Sequence, residues 1–132
     1  MSGKVWRLTG WSMLRALCVS IALMASAGPV WAHAFPDHSE PRVGSEIKES
    51  PRTVRIWFDG RLEPLFSTIH VMNRQGQRVD SGPGGVDSDD PTLLVTPVPP
   101  LPPGVYTVVW EVVAIDGHRT EGRFDFTILG GP

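Results

Sequence analysis

A chain of 132 residues with 12 Lys or Arg, 14 Asp or Glu and one Cys is long enough for one small domain. The formal net charge of −2 leaves no basic excess, which argues against nucleic acid or an anionic membrane as the partner. A single cysteine also excludes a disulfide within the chain.

The first 32 residues have the pattern of a secretory signal peptide. Lys4, Arg7 and Arg15 supply a basic start, and an apolar block of about a dozen residues follows at 16–27. This block is shorter than the roughly twenty residues that span a bilayer, and it ends in small residues. We therefore expect export with removal of the leader, including Cys18.

The cleavage site matters for function because it decides which residue becomes the first of the exported chain. Three frames place small residues where a signal peptidase requires them. The three cuts would release chains that begin at Gly28, His33 or Phe35. A cut after Ala32 leaves 100 residues with nine basic and fourteen acidic side chains, and no thiol for a disulfide or a thiolate metal site.

Beyond the leader, apolar residues recur with a period of two in short segments separated by Gly, Pro, Asp and Ser, which is typical of strands. The sequence predicts strands at 53–59, 66–72, 91–95, 105–115 and 122–129. It also predicts a mobile loop at 81–90, and a core anchored by Trp57 and Trp110. About seven short strands in one hundred residues favour an all-β, immunoglobulin-like β-sandwich or Greek-key barrel.

Four histidines follow the leader, at positions 33, 38, 70 and 118. His118 belongs to the segment Asp116-Gly117-His118 at the end of the longest predicted strand. Residues two apart in extended or turn geometry project to one side, so the carboxylate and the imidazole can reach a common point. The same segment also fits a turn in which Asp116 caps backbone N–H groups.

His33 gains a second donor if cleavage makes it the first residue, because its α-amine and imidazole Nδ1 then close a chelate ring. Together with Asp116 and His118 it offers three nitrogens and one carboxylate oxygen, a set that suits Cu(II). The residues after the leader include no Cys and one Met, Met72, and so lack the soft ligands that Cu(I) prefers. Since nitrogen donors bind metal only when deprotonated, affinity is expected to fall in mild acid.

Four segments carry a resemblance to a known family: HAFPDHSEPRVGS from His33, VRIWFDGRLEP with FSTIHVMN, PLPPGVYTVVWEVVAIDGH, and EGRFDFTI. Together they resemble the CopC family of periplasmic copper-resistance proteins over nearly all of residues 33–132. The resemblance implies a cupredoxin-like or immunoglobulin-like β-sandwich that binds copper after export. It also implies cleavage after Ala32, with His33, Asp116 and His118 as the Cu(II) ligands.

Some members of that family have a methionine-rich insertion with a histidine that binds Cu(I), whereas FSTIHVMN runs without one here. His70 and Met72 lie two apart on one strand face and form the alternative Cu(I) pair. His38 is an alternative or axial Cu(II) ligand, or else a surface residue of the first strand.

The leading hypothesis is a monomeric periplasmic Cu(II)-binding protein that is not an enzyme. It would sequester copper, confer resistance, or deliver copper to a separate CopD-type membrane transporter, with no membrane segment of its own after the leader. One alternative is a histidine-brace copper oxygenase, although Asp116 would occupy the position at which oxygen binds. The other alternative is a metal-free immunoglobulin-like interaction module.

Overall fold

Strands that alternate apolar and polar residues bury one face each, and this alternation organises the molecule. In the computed structural model, which describes residues 33–130, Val54, Ile56 and Phe58 are at most 4% exposed, while the residues between them are partly exposed. The predicted signal peptide and Cys18 lie outside the described residues.

Eight strands and one short 3₁₀ turn make up the described chain. In order they are β1 (Pro36–Glu40), β2 (Glu46–Ile47), β3 (Thr53–Phe58), the 3₁₀ turn (Pro64–Phe66), β4 (Thr68–Met72), β5 (Gly85–Val86), β6 (Leu93–Pro97), β7 (Gly104–Val113) and β8 (Arg119–Ile128).

The strands form two four-stranded sheets that pack face to face around one core. One sheet has the order β1-β3-β6-β5 and the other β2-β8-β7-β4, and every pair is antiparallel except the parallel pair β2 and β8. The predicted all-β sandwich is therefore confirmed, with eight strands where about seven were expected. Within residues 33–130, no helix is long and apolar enough to cross a membrane.

The segment 81–90, predicted as a mobile loop, contains β5 and is held against the sandwich. Gly85 and Val86 pair with β6. The preceding Gly84 approaches so closely that a Cβ there would lie 2.4 Å from the Ile69 side chain and 2.7 Å from that of Thr96. Glycine permits this contact because it has no side chain.

The two tryptophans that were predicted to anchor the core have different positions. Trp110 is 8% exposed and meets the Phe58 ring edge-to-face, with centroids 5.3 Å apart. Its indole fills the space beside Gly122, where a Cβ would lie 2.6 Å away. For Trp57 the prediction was wrong, because the alternation that buries Ile56 and Phe58 places Trp57 on the outer face of β3.

A buried carboxylate fixes the connection that follows β4. The Asp80 side chain is 2% exposed and accepts hydrogen bonds from the Val71 N–H (3.0 Å) and from the Arg78 guanidinium (2.7 Å). Burial by itself raises the pKa of Asp80, but the hydrogen bonds from Arg78 and Val71 and the nearby positive charge outweigh it and lower that pKa overall.

Because the pKa of Asp80 is lower in the folded state than in the unfolded state, its ionised form stabilises the fold. This stabilisation is fully present at pH values above the unfolded-state pKa. It disappears as the pH falls through the folded-state pKa. We expect Asp80→Asn to lower the free energy of unfolding by about 1–3 kcal/mol at pH 7. Below about pH 4 the difference from the unsubstituted protein should shrink. Urea unfolding at several pH values measures this.

A matched control for Asp80 is Asp125→Asn, which removes a surface carboxylate that accepts a hydrogen bond from Thr107 (2.7 Å). It should change the free energy of unfolding by less than about 0.5 kcal/mol. Equal losses in the two variants would contradict the structural role of Asp80.

Candidate metal site

The candidate metal site lies at the end of the sandwich where β7 turns into β8. The Ala114 carbonyl accepts the Gly117 N–H (2.8 Å), and the Ala114 N–H donates to the His118 carbonyl (2.9 Å). Gly117 has a φ of +89°, in the left-handed region that glycine tolerates without strain. A tight turn therefore places Asp116 and His118 on either side of this glycine.

The Asp116 carboxylate contacts His118 through both of its oxygens. Oδ1 accepts the His118 backbone N–H (3.0 Å), and Oδ2 lies 2.9 Å from the His118 imidazole Nδ1. Turn capping and side-chain convergence, which were alternatives on the sequence, thus occur together. One oxygen fixes the turn, and the other faces the imidazole.

The pKa of Asp116 is lowered, chiefly because the His118 backbone N–H donates to the carboxylate. Partial desolvation opposes this effect, while the His118 side chain and the nearby His33 add to it. Asp116 is therefore an anionic oxygen donor throughout the neutral range and well into acid.

His33 completes the cluster from the other end of the described chain. Its Nδ1 lies 3.9 Å from Asp116 Oδ2, and its ring meets the His118 ring edge-to-face with centroids 4.2 Å apart. One donor atom from each of the three residues lies within 4.8 Å of the other two. Metal–nitrogen bonds of about 2.0 Å separate the donors of one ion by about 3–4 Å, so side-chain movements of about 1–2 Å would bring all three onto one ion.

The cluster is open to solvent on one side. The His118 side chain is 61% exposed, whereas those of Asp116 and His33 are 23% and 27% exposed. A bound ion would thus be reachable from outside the protein, on the side of His118.

His38 and His70 do not belong to this cluster, which among the described residues consists of His33, Asp116 and His118. His38 lies on β1, stacks on Trp57 with ring centroids 4.4 Å apart, and places its Nδ1 2.8 Å from its neighbour Asp37. This is the surface position that the sequence offered as one of its alternatives.

His70 lies on β4 with a buried Nδ1 that has no hydrogen-bond partner and is 3.9 Å from Asp80 Oδ2. In the alternative Cu(I) pair of His70 and Met72, the Nδ1 of His70 thus faces the Asp80 carboxylate.

Two residues beside the cluster were missed in the sequence. Thr120 donates to the Ala34 carbonyl (2.9 Å), and Asp59 accepts the Phe35 N–H (2.6 Å), so both hold the chain next to His33. An Asp-Gly pair after a strand marks Asp59 as a turn residue. Nothing in the local pattern distinguishes Thr120 from other strand threonines.

Comparison with known proteins decides the family. A model of the CopC domain matches residues 37–129. The chain belongs to the CopC family. The resemblance noted in the four sequence segments is thereby confirmed.

Two relatives illustrate how this domain occurs. Protein YobA of Escherichia coli (strain K12) is 29% identical over 121 residues, which cover 89% of this chain and 98% of YobA. The copper transport protein CutJ of Bacillus subtilis (strain 168) is 34% identical over 99 residues, covering 74% of this chain but 18% of CutJ. In CutJ the matching segment is therefore a small part of a much longer chain. Other relatives are named copper resistance protein C.

The crystal structure of CopC from Methylosinus trichosporium OB3b matches this fold with a TM-score of 0.70 at 30% sequence identity. The match covers 76% of this chain and 97% of that protein. The sandwich described above is thus the CopC fold, and the chain is a member of a family of copper resistance and copper transport proteins.

Proposed function

We propose that this member of the CopC family is a periplasmic Cu(II)-binding protein, with His33, Asp116 and His118 as the ligands. The observation that carries the proposal is the convergence of three donor-bearing side chains within 4.8 Å, where His33 from the start of the described chain meets Asp116 and His118 from a single turn. Its role is to hold copper outside the cytoplasm, for sequestration, resistance or hand-over to a membrane transporter.

The set of donor atoms supports Cu(II), and not Cu(I), as the oxidation state of the bound copper. After cleavage before His33, the α-amine and two imidazoles supply three nitrogens, and Asp116 supplies an anionic oxygen. Nitrogen and carboxylate donors favour Cu(II), whereas Cu(I) prefers sulfur. The carboxylate as fourth donor also distinguishes this set from a histidine brace, which keeps a position open for oxygen.

The partner in the proposal is a separate copper transporter of CopD type. In CutJ, a relative named as a copper transport protein, the segment that matches this chain is joined to a far longer one. The open side of the cluster, where His118 is 61% exposed, would allow the ligands of an acceptor to reach the ion directly. We expect the protein to act as a monomer that meets this acceptor transiently.

Calorimetric titration with Cu(II) of the form that begins at His33 tests the proposal. We expect one ion per chain, with a dissociation constant well below about 1 µM. Asp116 stays ionised in mild acid, so protons compete chiefly at the nitrogen donors, and affinity should fall between about pH 7 and pH 5.

The alternatives predict other results in the same titration. The absence of Cu(II) binding at pH 7 would favour a metal-free interaction module. Reductant-dependent consumption of oxygen by the copper-loaded protein would favour the oxygenase. A dissociation constant that does not change between pH 7 and pH 5 would contradict nitrogen ligation.

A further inference from the structure

The residues that follow His33 are hydrogen-bonded to both sheets of the sandwich. The Ala34 carbonyl accepts the Thr120 hydroxyl proton (2.9 Å), at the start of β8. The Phe35 N–H donates to Asp59 Oδ1 (2.6 Å), and the Phe35 carbonyl accepts the Asp59 N–H (2.9 Å), just after the end of β3. We call Asp59, Gly60 and Thr120 the N-terminal clamp.

Gly60 lets the chain approach the clamp closely. A Cβ at Gly60 would lie 3.3 Å from the His33 carbonyl oxygen, which is tighter than most side-chain contacts, and 3.5 Å from the Ala34 Cα, which is an ordinary van der Waals contact. Ala34 itself is 1% exposed. The backbone on the C-terminal side of His33 is therefore packed as well as hydrogen-bonded.

A terminal residue is ordinarily poorly ordered unless the residues next to it are held. If His33 is the first residue, residues 34 and 35 are the covalent neighbours through which the sandwich holds its backbone. Ordering a backbone residue costs conformational entropy, and metal binding would otherwise have to offset that cost. A clamp that acts before the metal arrives removes part of this cost.

The clamp also connects the ligands to one another. Thr120 is two residues after His118 and lies on the strand that leaves the Asp116 turn. Its hydroxyl thus joins the strand that follows two of the ligands to the segment that carries the third.

We infer that Thr120 and Asp59 are positioning residues that hold His33 in its metal-binding place in the metal-free protein, without being ligands themselves. This inference rests on the proposed function, since it assigns these residues a role toward Cu(II). It assigns them in addition a role in the metal-free chain, which is measured separately.

The test is Thr120→Val in the form that begins at His33, because valine keeps the branched shape and removes only the hydroxyl. We expect Cu(II) affinity to fall about fivefold, the effect of one neutral hydrogen bond. Without metal, amide exchange at Phe35 should be faster by a similar factor, while exchange at Val108 in the core stays unchanged. Thr120→Ser, which retains the hydroxyl, should restore both values.

A matched control is Thr107→Val, which removes a hydroxyl that donates to Asp125 (2.7 Å) away from the clamp. It should leave both Cu(II) affinity and Phe35 exchange unchanged. Unchanged Phe35 exchange or unchanged affinity in Thr120→Val would overturn the inference, as would an equal effect of Thr107→Val. If the unsubstituted protein failed to bind Cu(II), the proposed function and the ligand role would fall, whereas Phe35 exchange would still report whether the clamp orders the terminus.

Discussion

His118→Gln is expected to weaken Cu(II) binding by more than about a hundredfold, which exceeds the usual 10- to 100-fold cost of losing an outer-shell partner of a metal site. The substitution removes one of the four proposed donors and leaves the ion with an incomplete set. Competition against a chelator of known Cu(II) affinity measures the change at pH 7.

The fold should survive His118→Gln. The side chain is 61% exposed, and the contact from the His118 backbone N–H to Asp116 Oδ1 does not involve the imidazole. We expect the free energy of unfolding to change by less than about 0.5 kcal/mol, as for other surface substitutions. Lost metal binding would then reflect a lost ligand and not a lost structure.

His38→Gln is the matched control, since it removes an exposed imidazole that stacks on Trp57 outside the cluster. It should leave Cu(II) affinity within about twofold of the unsubstituted protein, because an effect of a few tenths of a kcal/mol is usual at the surface. Stronger loss in His38→Gln than in His118→Gln would assign the histidine ligand to β1.

The second large effect is expected from the amino terminus. A form that begins at Gly28 carries five residues before His33, and the nitrogen of His33 is then an amide and no longer an amine. Loss of the α-amine also removes the chelate ring that it forms with the His33 imidazole. In such a ring, one bound donor holds the other near the ion at high effective concentration. We expect Cu(II) affinity to fall about a hundredfold or more, because the loss of an outer-shell partner alone usually costs 10- to 100-fold.

The control for the extended form carries the same five residues after Pro132. Its amino terminus still begins at His33, so its Cu(II) affinity should equal that of the unextended form. Equal affinities in the Gly28 and His33 forms would show that the α-amine is not a ligand. The two imidazoles and the Asp116 carboxylate would then be the only proposed Cu(II) ligands.

Most of the fold was predictable because its signals are local. The period-two pattern of β7 and β8 fixes which residues face the core, and Val108, Trp110 and Phe126 are buried in agreement with that pattern. β5 was missed because two residues carry too little pattern, and it forms only through pairing with β6. Trp57 is not a core residue because it alternates with the buried Ile56 and Phe58 on β3.

The candidate site also has one part that follows from local sequence signals and one part that depends on long-range contacts. Asp116 and His118 are two residues apart, so their convergence follows from local geometry. The approach of His33 depends on contacts such as the one between Thr120 and Ala34, which are 86 residues apart. No periodicity encodes that pairing, and on the sequence the position of His33 was implied by family resemblance alone.

Exposure and order have complementary roles in this proposal. His118 faces solvent, which favours exchange of copper with an acceptor, while Ala34 is buried and its carbonyl is hydrogen-bonded. The proposed ligand that depends on processing is thus followed in the chain by a buried, hydrogen-bonded residue.

The most direct test is the intact mass of the exported protein under native conditions, with and without added Cu(II). We predict a chain that begins at His33 and gains the mass of one copper ion. A chain that begins at Gly28 or Phe35 and still gains one copper ion would contradict the terminal chelate. A chain that begins at His33 and gains none would contradict the Cu(II) site itself.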